Sequence, residues 1–229
     1  MIYISRLFSP ISTGTAGDID VGATVKINEN GQPVDYLIVH QGLPGDMYDA
    51  SCEGTWCLRK DIAEERQWNS SNVNDYANST IKAYLNGDWL NRYDPEVAEA
   101  IKQVKIPYRQ NGGSGGTDRN GANGLSCKIF LLSGKEVGLD SSDNQYFPND
   151  GAKLSYFLDG TSSSANQKRV ATLNGSAADW WLRSPSTSNE VRVWSCNSNG
   201  YYVGWNANYS YGVRPALILP YSFKFQEVS

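Results

Sequence analysis

The chain has 229 residues, of which 40% are hydrophobic and 12% aromatic, with a formal net charge of −4 and a sequence pI near 5.1. That apolar mass suffices for a packed core in one large domain or two small ones, and a mean hydropathy of −0.48 without any long apolar run argues against a transmembrane helix. The acidic balance lacks the basic footprint that nucleic acid or an anionic membrane attracts.

The N-terminus MIYISRLFSPIS has neither a long apolar core nor a small-residue cleavage site, so no signal peptide is expected. Residues Met1–Asp20 read as an irregular lead segment with Gly14 and Gly17. Val25–Ile27, a turn over Asn28–Pro33, and Val34–His40 read as a hairpin, because Asn-Gly between β-prone runs is a strong local signal. His40, the single histidine, is expected to be structural. Within Met47–Trp68, a polar stretch, Trp56 and Trp68 are expected at the edge of the core. Cys52 and Cys57 can close a short loop; without a secretion signal, free thiols are expected for them and for Cys127 and Cys196. The His/Cys spacings of a zinc site are missing, and neither metal nor cofactor is expected.

Asn78 or Ser79 can cap a helix whose apolar positions Ile81, Tyr84, Leu85 and Trp89 follow helical spacing, with Gly87 marking an early end or a bend. Asp94 caps a second helix with Pro95 at its first position; Val97, Ala100, Ile101 and Val104 form its stripe and Pro107 stops it. Arg109–Ser126 holds six glycines and reads as a long flexible loop insertion. No Gly-Lys-Ser/Thr follows, so it is not a phosphate cradle. Lys128–Leu132 reads as a buried strand, Ser133–Glu136 as a loop or one helical turn, Thr161–Lys168 as a solvated loop, and Arg169–Leu173 as a strand. Tyr146–Leu158 yields no element. Trp180–Arg183, Val191–Cys196, Tyr201–Trp205 and Val213–Leu219 read as four strands, with Asn199-Gly200 turning the second into the third. Early helices and many late short strands indicate an α+β fold and not a parallel α/β sheet.

Residues 180–219 differ from the rest. From Pro185 to Tyr211, 14 of 27 residues are Tyr, Ser or Asn, and Glu190 and Arg192 carry the only charges. This is the composition of a paratope, in which tyrosine gives wide amphipathic contact and Ser/Asn give adaptable hydrogen bonds. The pairing of WWLRSP with a downstream YGVRPAL resembles a bacterial and phage domain family of uncharacterised function. STIKAYLNGDWL, a capped helix ending in Ile-Pro, and KIFLLSGKEV match that family's order, and the resemblance runs from about Gly22 to Leu219.

The resemblance implies a C-type lectin-like fold near the formylglycine-generating-enzyme branch, here one domain over residues 1–229. Some members of the family are variable proteins of diversity-generating retroelements, in which a receptor-binding tip is mutated at will. It follows that this chain would be no enzyme but a binder of a protein ligand or host-surface receptor. It would sit on a phage tail or a bacterial cell surface, with no nucleic-acid partner and no membrane insertion. In such systems template adenines are randomised, mostly in Asn codons, from which Trp, Glu, Lys, Gln and Met cannot be reached. The Pro185–Tyr211 window has no Lys, Gln or Met; its exceptions, Glu190, Trp194 and Trp205, read as fixed. The candidate variable, ligand-binding positions are Thr187, Ser188, Asn189, Arg192, Ser195, Asn197, Tyr201, Tyr202, Gly204, Asn206, Asn208 and Tyr209. The candidate scaffold is Trp180, Trp181, Arg183, Trp194, Trp205, Arg214 and Pro215. Strand alternation turns outward either Ser195 and Asn197 or Tyr202, Gly204 and Asn206, depending on register.

Rival readings attach to the same residues. Sugar-binding lectins of this fold place calcium ligands in a Glu-Pro-Asn or Gln-Pro-Asp triplet and a Trp-Asn-Asp triplet; Gln32-Pro33-Val34 and Trp205-Asn206-Ala207 each lack the last acid, which leaves a calcium-independent carbohydrate-binding module. A formylglycine-generating oxidase needs a close cysteine pair, and Cys196 has no neighbour in sequence. A third possibility is a glycine-rich sheet that needs no ligand, and it requires Tyr201, Tyr202, Tyr209 and Tyr211 to be buried.

Overall fold

The computed structural model describes residues 14–158 and 162–225, so Met1–Thr13 of the lead segment and Thr161 of the loop expected at 161–168 lie outside the described residues. Short strands dominate, with a few short helices, which makes the fold mixed α+β. Two five-stranded sheets carry it.

The first sheet has the order Ile129–Phe130, Ala216–Leu219, Thr55–Arg59, Gln32–Gln41, Thr24–Glu29, with every neighbour antiparallel. Its hairpin closes on Asn30 and Gly31 alone, at φ 52° and 71°. Positive φ at both central residues matches the right-handed strand twist, so the turn is tighter than the six residues expected. The second sheet has the order Tyr202–Asn206, Arg192–Cys196, Trp180–Pro185, Ser210–Val213, Glu64–Gln67. The expected strand Val213–Leu219 is two strands in different sheets. It breaks at Arg214-Pro215, where proline has no N–H to continue a ladder. Opposite the break, Arg59 N–H donates to the Pro215 carbonyl at 2.9 Å and Ala63 N–H to the Val213 carbonyl at 3.0 Å. The two sheets are therefore one bent ribbon at this point, made of residues 55–67 and 210–219.

Trp56 and Trp68 lie within the core, both fully buried, and not at its edge as expected. Each indole N–H has a carbonyl: Trp68 donates to Leu182 at 2.9 Å, and Trp56 to Gly42 and Cys52 at 3.1 Å. That satisfaction is what lets so large a polar-tipped ring be buried. Helix α1, Thr80–Leu85, is capped by the Ser79 hydroxyl, which accepts from the Lys82 N–H at 3.2 Å. Helix α2, Pro95–Ala100, starts as expected but ends before Val104. Lys102 N–H donates to the Ile218 carbonyl, and Val104–Ile106 pairs with Leu125–Cys127, so sheet pairing wins over continued helix.

The glycine-rich stretch is ordered and not a flexible loop: Tyr108–Gln110 pairs with Thr117–Arg119 before the chain joins Leu125–Cys127. Gly112 is obligatory there, with φ 60° and space so small that a Cβ would sit 2.2 Å from Asn74 Oδ1. The solvated loop expected at 161–168 is instead helix α3, Ser162–Arg169. Its last residue is buried, with Arg169 Nε donating to the Gly200 carbonyl at 2.7 Å and Nη1 to the Val137 carbonyl at 3.1 Å. A polar sequence without an apolar stripe hides such a helix from periodicity, because its buried contacts are made by an arginine.

At the centre stands Arg183, the arginine of WWLRSP, fully buried. Nη1 and Nη2 form a fork on the two Glu136 oxygens, each at 2.6 Å. Nε donates to the Pro107 carbonyl at 3.0 Å, Nη1 also to Leu131 at 2.9 Å, and Nη2 also to the Asp150 carbonyl at 2.7 Å. All five donors of the guanidinium are thus used. Glu136 further accepts from Tyr48 Oη at 2.8 Å and from Ser133 N–H at 2.9 Å. Burial works against the charge on Arg183, but the Glu136 carboxylate outweighs it and holds the guanidinium pKa above its ordinary value. Next to the pair, Ser184 Oγ donates to Asp150 Oδ2 at 2.7 Å, and burial pushes the Asp150 carboxyl up to about 7. Removing one partner leaves a buried charge unpaired. Arg183→Met is therefore expected to lower unfolding free energy by about 3–5 kcal/mol, read from the urea midpoint. Adding Glu136→Leu to that variant is expected to restore part of the loss.

Candidate functional site

Seven of the candidate positions fall on the outermost hairpin of the second sheet, Arg192–Asn206, whose edge strand is Tyr202–Asn206; Thr187, Ser188 and Asn189 lie in the loop before it, and Asn208 and Tyr209 in the turn after it. The ladder pairs Arg192 with Asn206, Trp194 with Gly204 and Cys196 with Tyr202 on one face, and Val193 with Trp205 and Ser195 with Val203 on the other. Directly opposed residues share a face, so the register settles the alternation.

On the first face Trp194 is 7% exposed and stacks on Phe147 at 4.6 Å, and Tyr202 meets both rings edge-on at 5.6 Å. Tyr202 Oη donates to the Asp143 carbonyl at 2.8 Å. On the second face Trp205 is half-buried and stacks on Tyr211 at 5.2 Å, and Tyr211 meets Trp181 edge-on at 5.2 Å. Trp205 Nε1 donates to Asp179 Oδ2 at 3.3 Å. Behind this layer Trp180, Trp181, Arg183, Arg214 and Pro215 are buried, as expected of a scaffold.

The twelve candidates divide by exposure. Ser188, Arg192, Tyr201 and Tyr209 are exposed; Thr187, Asn189, Asn197, Tyr202, Gly204, Asn206 and Asn208 are half-buried. Ser195 is fully buried, and its Oγ donates to the Val203 carbonyl at 3.2 Å. It is therefore not a surface position: it pairs with Trp181 on one side and Val203 on the other, inside the sheet. Two of the asparagines are occupied locally. Asn189 Oδ1 accepts from Val191 N–H at 2.8 Å and Arg192 N–H at 3.0 Å, and Asn197 Oδ1 accepts from Asn199 N–H at 2.9 Å and Tyr201 N–H at 3.1 Å. Such side chains shape their own turns. Tyr201, 56% exposed, and Tyr209, 47% exposed, flank opposite ends of the edge strand. Five extended residues span roughly 17 Å, so these two rings bracket a face and do not form one cluster.

Sequence reasoning missed Asn74, which is fully buried. Its Nδ2 donates to the carbonyls of Asn189 at 2.6 Å and Arg192 at 2.7 Å, while its Oδ1 accepts from Gly113 N–H at 2.8 Å. Ser114 Oγ adds a bond to Glu190 Oε1 at 2.8 Å. The glycine-rich hairpin and the 186–192 loop are thus stapled together. Tyr146, 41% exposed, was also missed; its carbonyl accepts from Thr187 N–H at 2.9 Å and Trp194 Nε1 at 3.3 Å, beside the hairpin. Neither residue lies in a periodic or motif-bearing segment, and no sequence signal marks it.

The thiols are core residues. All four cysteines are free and buried, Cys52 and Cys57 included. Burial pushes Cys52, Cys127 and Cys196 up to about 12, and Cys57 higher still, so each is protonated at neutral pH. His40 is half-buried, with Nδ1 2.7 Å from Ser155 Oγ, and burial lowers its pKa. Among the described residues no group of three or more His, Cys, Asp or Glu is placed to hold a metal, and no helix is long and apolar enough to cross a membrane.

Comparison with protein families matches residues 53–221 to DUF6273, a domain of unknown function. The match spans well over half the chain, and the protein belongs to this family. Searches of curated proteins and of solved structures gave no match.

Tyr201→Ser and Tyr209→Ser are each expected to change stability by no more than about 0.5 kcal/mol, whereas Asn74→Ala, which strands several buried carbonyls, is expected to cost at least about 2 kcal/mol. Denaturant titration of the three variants checks the contrast.

Proposed function

We propose that this protein is a C-type lectin-like binder whose outer hairpin, residues 187–209, is a diversified surface for a protein ligand. The reading includes its origin, a retroelement-mutated variable protein on a phage tail or bacterial surface, and the absence of catalysis. One observation carries it: the stretch rich in Tyr, Ser and Asn lies on an edge hairpin with exposed Tyr201, Tyr209, Ser188 and Arg192, directly over fully buried Trp180, Trp181 and Arg183. Exposed side chains can change with little effect on stability, while the tryptophan layer keeps the backbone in place. Tyrosine and arginine are also the residues that most often dominate binding at protein interfaces. A standard specific interface buries about 800 Å² per partner, so Tyr146 and the 186–192 loop beside the hairpin would belong to the contact face.

A second reading, calcium-independent sugar binding, is favoured by the row formed by Tyr209, Trp205 and Tyr211, with Trp205–Tyr209 centroids 6.3 Å apart. Half-exposed rings of this kind can stack on a sugar face.

The test is in the neighbouring DNA. The proposal expects a reverse-transcriptase gene and a near-copy of the 180–219 coding region. Differences between the copies should fall only opposite template adenines, at codons of exposed or half-buried positions. An invariant locus without such a repeat, sequenced across a growing population, overturns the retroelement reading. Variation concentrated at the codons for Trp180, Arg183 or Ser195 contradicts the assignment of the surface.

A further inference from the structure

The bend joining the two sheets holds a second arginine in a different condition from Arg183. Arg214 is 1% exposed. Its Nε donates to the Arg59 carbonyl at 2.9 Å, and its guanidinium carbon lies 4.8 Å from the centroid of the Trp180 ring. Its Nη1 is buried and has no hydrogen-bond partner among the described residues. None of the ion pairs among the described residues involves it. Burial pushes its pKa down to about 10, which leaves it cationic at neutral pH. Buried charges are ordinarily paired, and Arg183, in the same chain, meets that rule with all five donors.

Arg214 forms part of the wall of a cavity of about 260 Å³. The wall also includes Lys60, from the chain between the sheets, Lys168 of α3, Thr172 and Asp61. Asp61 is held by the Thr172 hydroxyl, which donates to its Oδ1 at 2.6 Å. Lys60 Nζ is 3.6 Å from Asp35, with a side chain 39% exposed. Lys168 Nζ donates to the Tyr156 carbonyl at 2.8 Å. The volume falls below the range of pockets for drug-sized ligands and suits a compact molecule. A guanidinium offers N–H donors in a planar fork that matches carboxylate and phosphate oxygens.

We propose that this cavity binds a small oxyanion, a carboxylate or phosphate, with Arg214 as its buried donor. The site is separate from the edge hairpin and does not depend on how that hairpin functions.

Isothermal titration with sodium phosphate and with sodium acetate, at ionic strength fixed by sodium chloride, tests it. Saturable binding of at least one of the two at a 1:1 ratio is expected, and the arm that responds identifies the class. Arg214→Lys keeps the charge but loses the fork and should weaken binding at least about tenfold. Lys60→Glu, at a half-buried wall residue, should weaken it severalfold and serves if Arg214→Lys does not fold. Crystals of the unmutated protein soaked in selenate should give an anomalous peak inside this cavity, against the Arg214 guanidinium. Heats no larger than those of chloride, affinity unchanged by Lys60→Glu together with an unchanged Arg214→Lys, or an anomalous peak elsewhere would overturn the proposal.

Discussion

The buried fork between Arg183 and Glu136 is the interaction on which the rest of the structure depends. Taking both charges out of water is expensive, and the cost is met only because every donor on Arg183 finds an acceptor and Glu136 collects further bonds from Tyr48 and Ser133. The acceptors come from distant parts of the chain: Pro107, Leu131 and Asp150. One side chain of the Trp180–Pro185 strand therefore ties together the junction at Pro107, the end of the Ile129–Phe130 strand and the irregular segment around Asp150. Directional bonds of this kind specify where irregular backbone must lie, which hydrophobic burial alone does not.

That arrangement separates two jobs along the second sheet. The central Trp180–Pro185 strand is buried at every residue, and the edge strand Tyr202–Asn206 at none. Between them Trp194 and Phe147 fill one face, while Trp181, Tyr211 and Trp205 layer the other. Asn74 and Arg169 then fasten the two ends of the hairpin through carbonyls; those of Asn189 and Arg192 remain whatever side chain they carry, whereas Gly200, at φ 78° and pressed against the Asn166 carbonyl, must stay glycine. The side chains of Ser188, Arg192, Tyr201 and Tyr209 take no part in this fastening, whereas those of Asn189 and Asn197 hold their own turns. This is the physical basis on which a variable binding face is proposed.

Much of this was legible in the sequence because local rules govern it. The Asn30-Gly31 turn, the Ser79 cap and the start of α2 at Pro95 all follow from residues adjacent in the chain; the turn expected on Asn199-Gly200 is instead the four residues Asn197–Gly200, closed by Gly200 N–H on the Asn197 carbonyl at 2.8 Å, with Gly200 alone among them at positive φ. The buried WWLRSP frame and the polar make-up of the hairpin could be read from composition, but not that most of the hairpin is half-buried or buried. What could not be read depends on partners far away. Ser195 looks like a surface serine until Trp181 and Val203 are placed on either side of it. The glycine-rich stretch looks mobile until Asn74 binds Gly113. Helix α3 looks like a loop because its buried contacts are polar, and Val213–Leu219 looks like one strand because only the pairing shows it leaving one sheet for the other.

The central claim is that the frame fixes the hairpin backbone whatever its exposed side chains are. The direct measurement is a crystal structure of a variant in which the exposed residues Ser188, Arg192, Tyr201 and Tyr209 are all replaced by alanine. The account predicts Cα positions of Trp180–Pro185, Arg192–Cys196 and Tyr202–Asn206 within about 1 Å of the unmutated protein, the range seen in pre-organised binding surfaces. A hairpin displaced well beyond that, or one no longer ordered against Trp181 and Trp194, would contradict it.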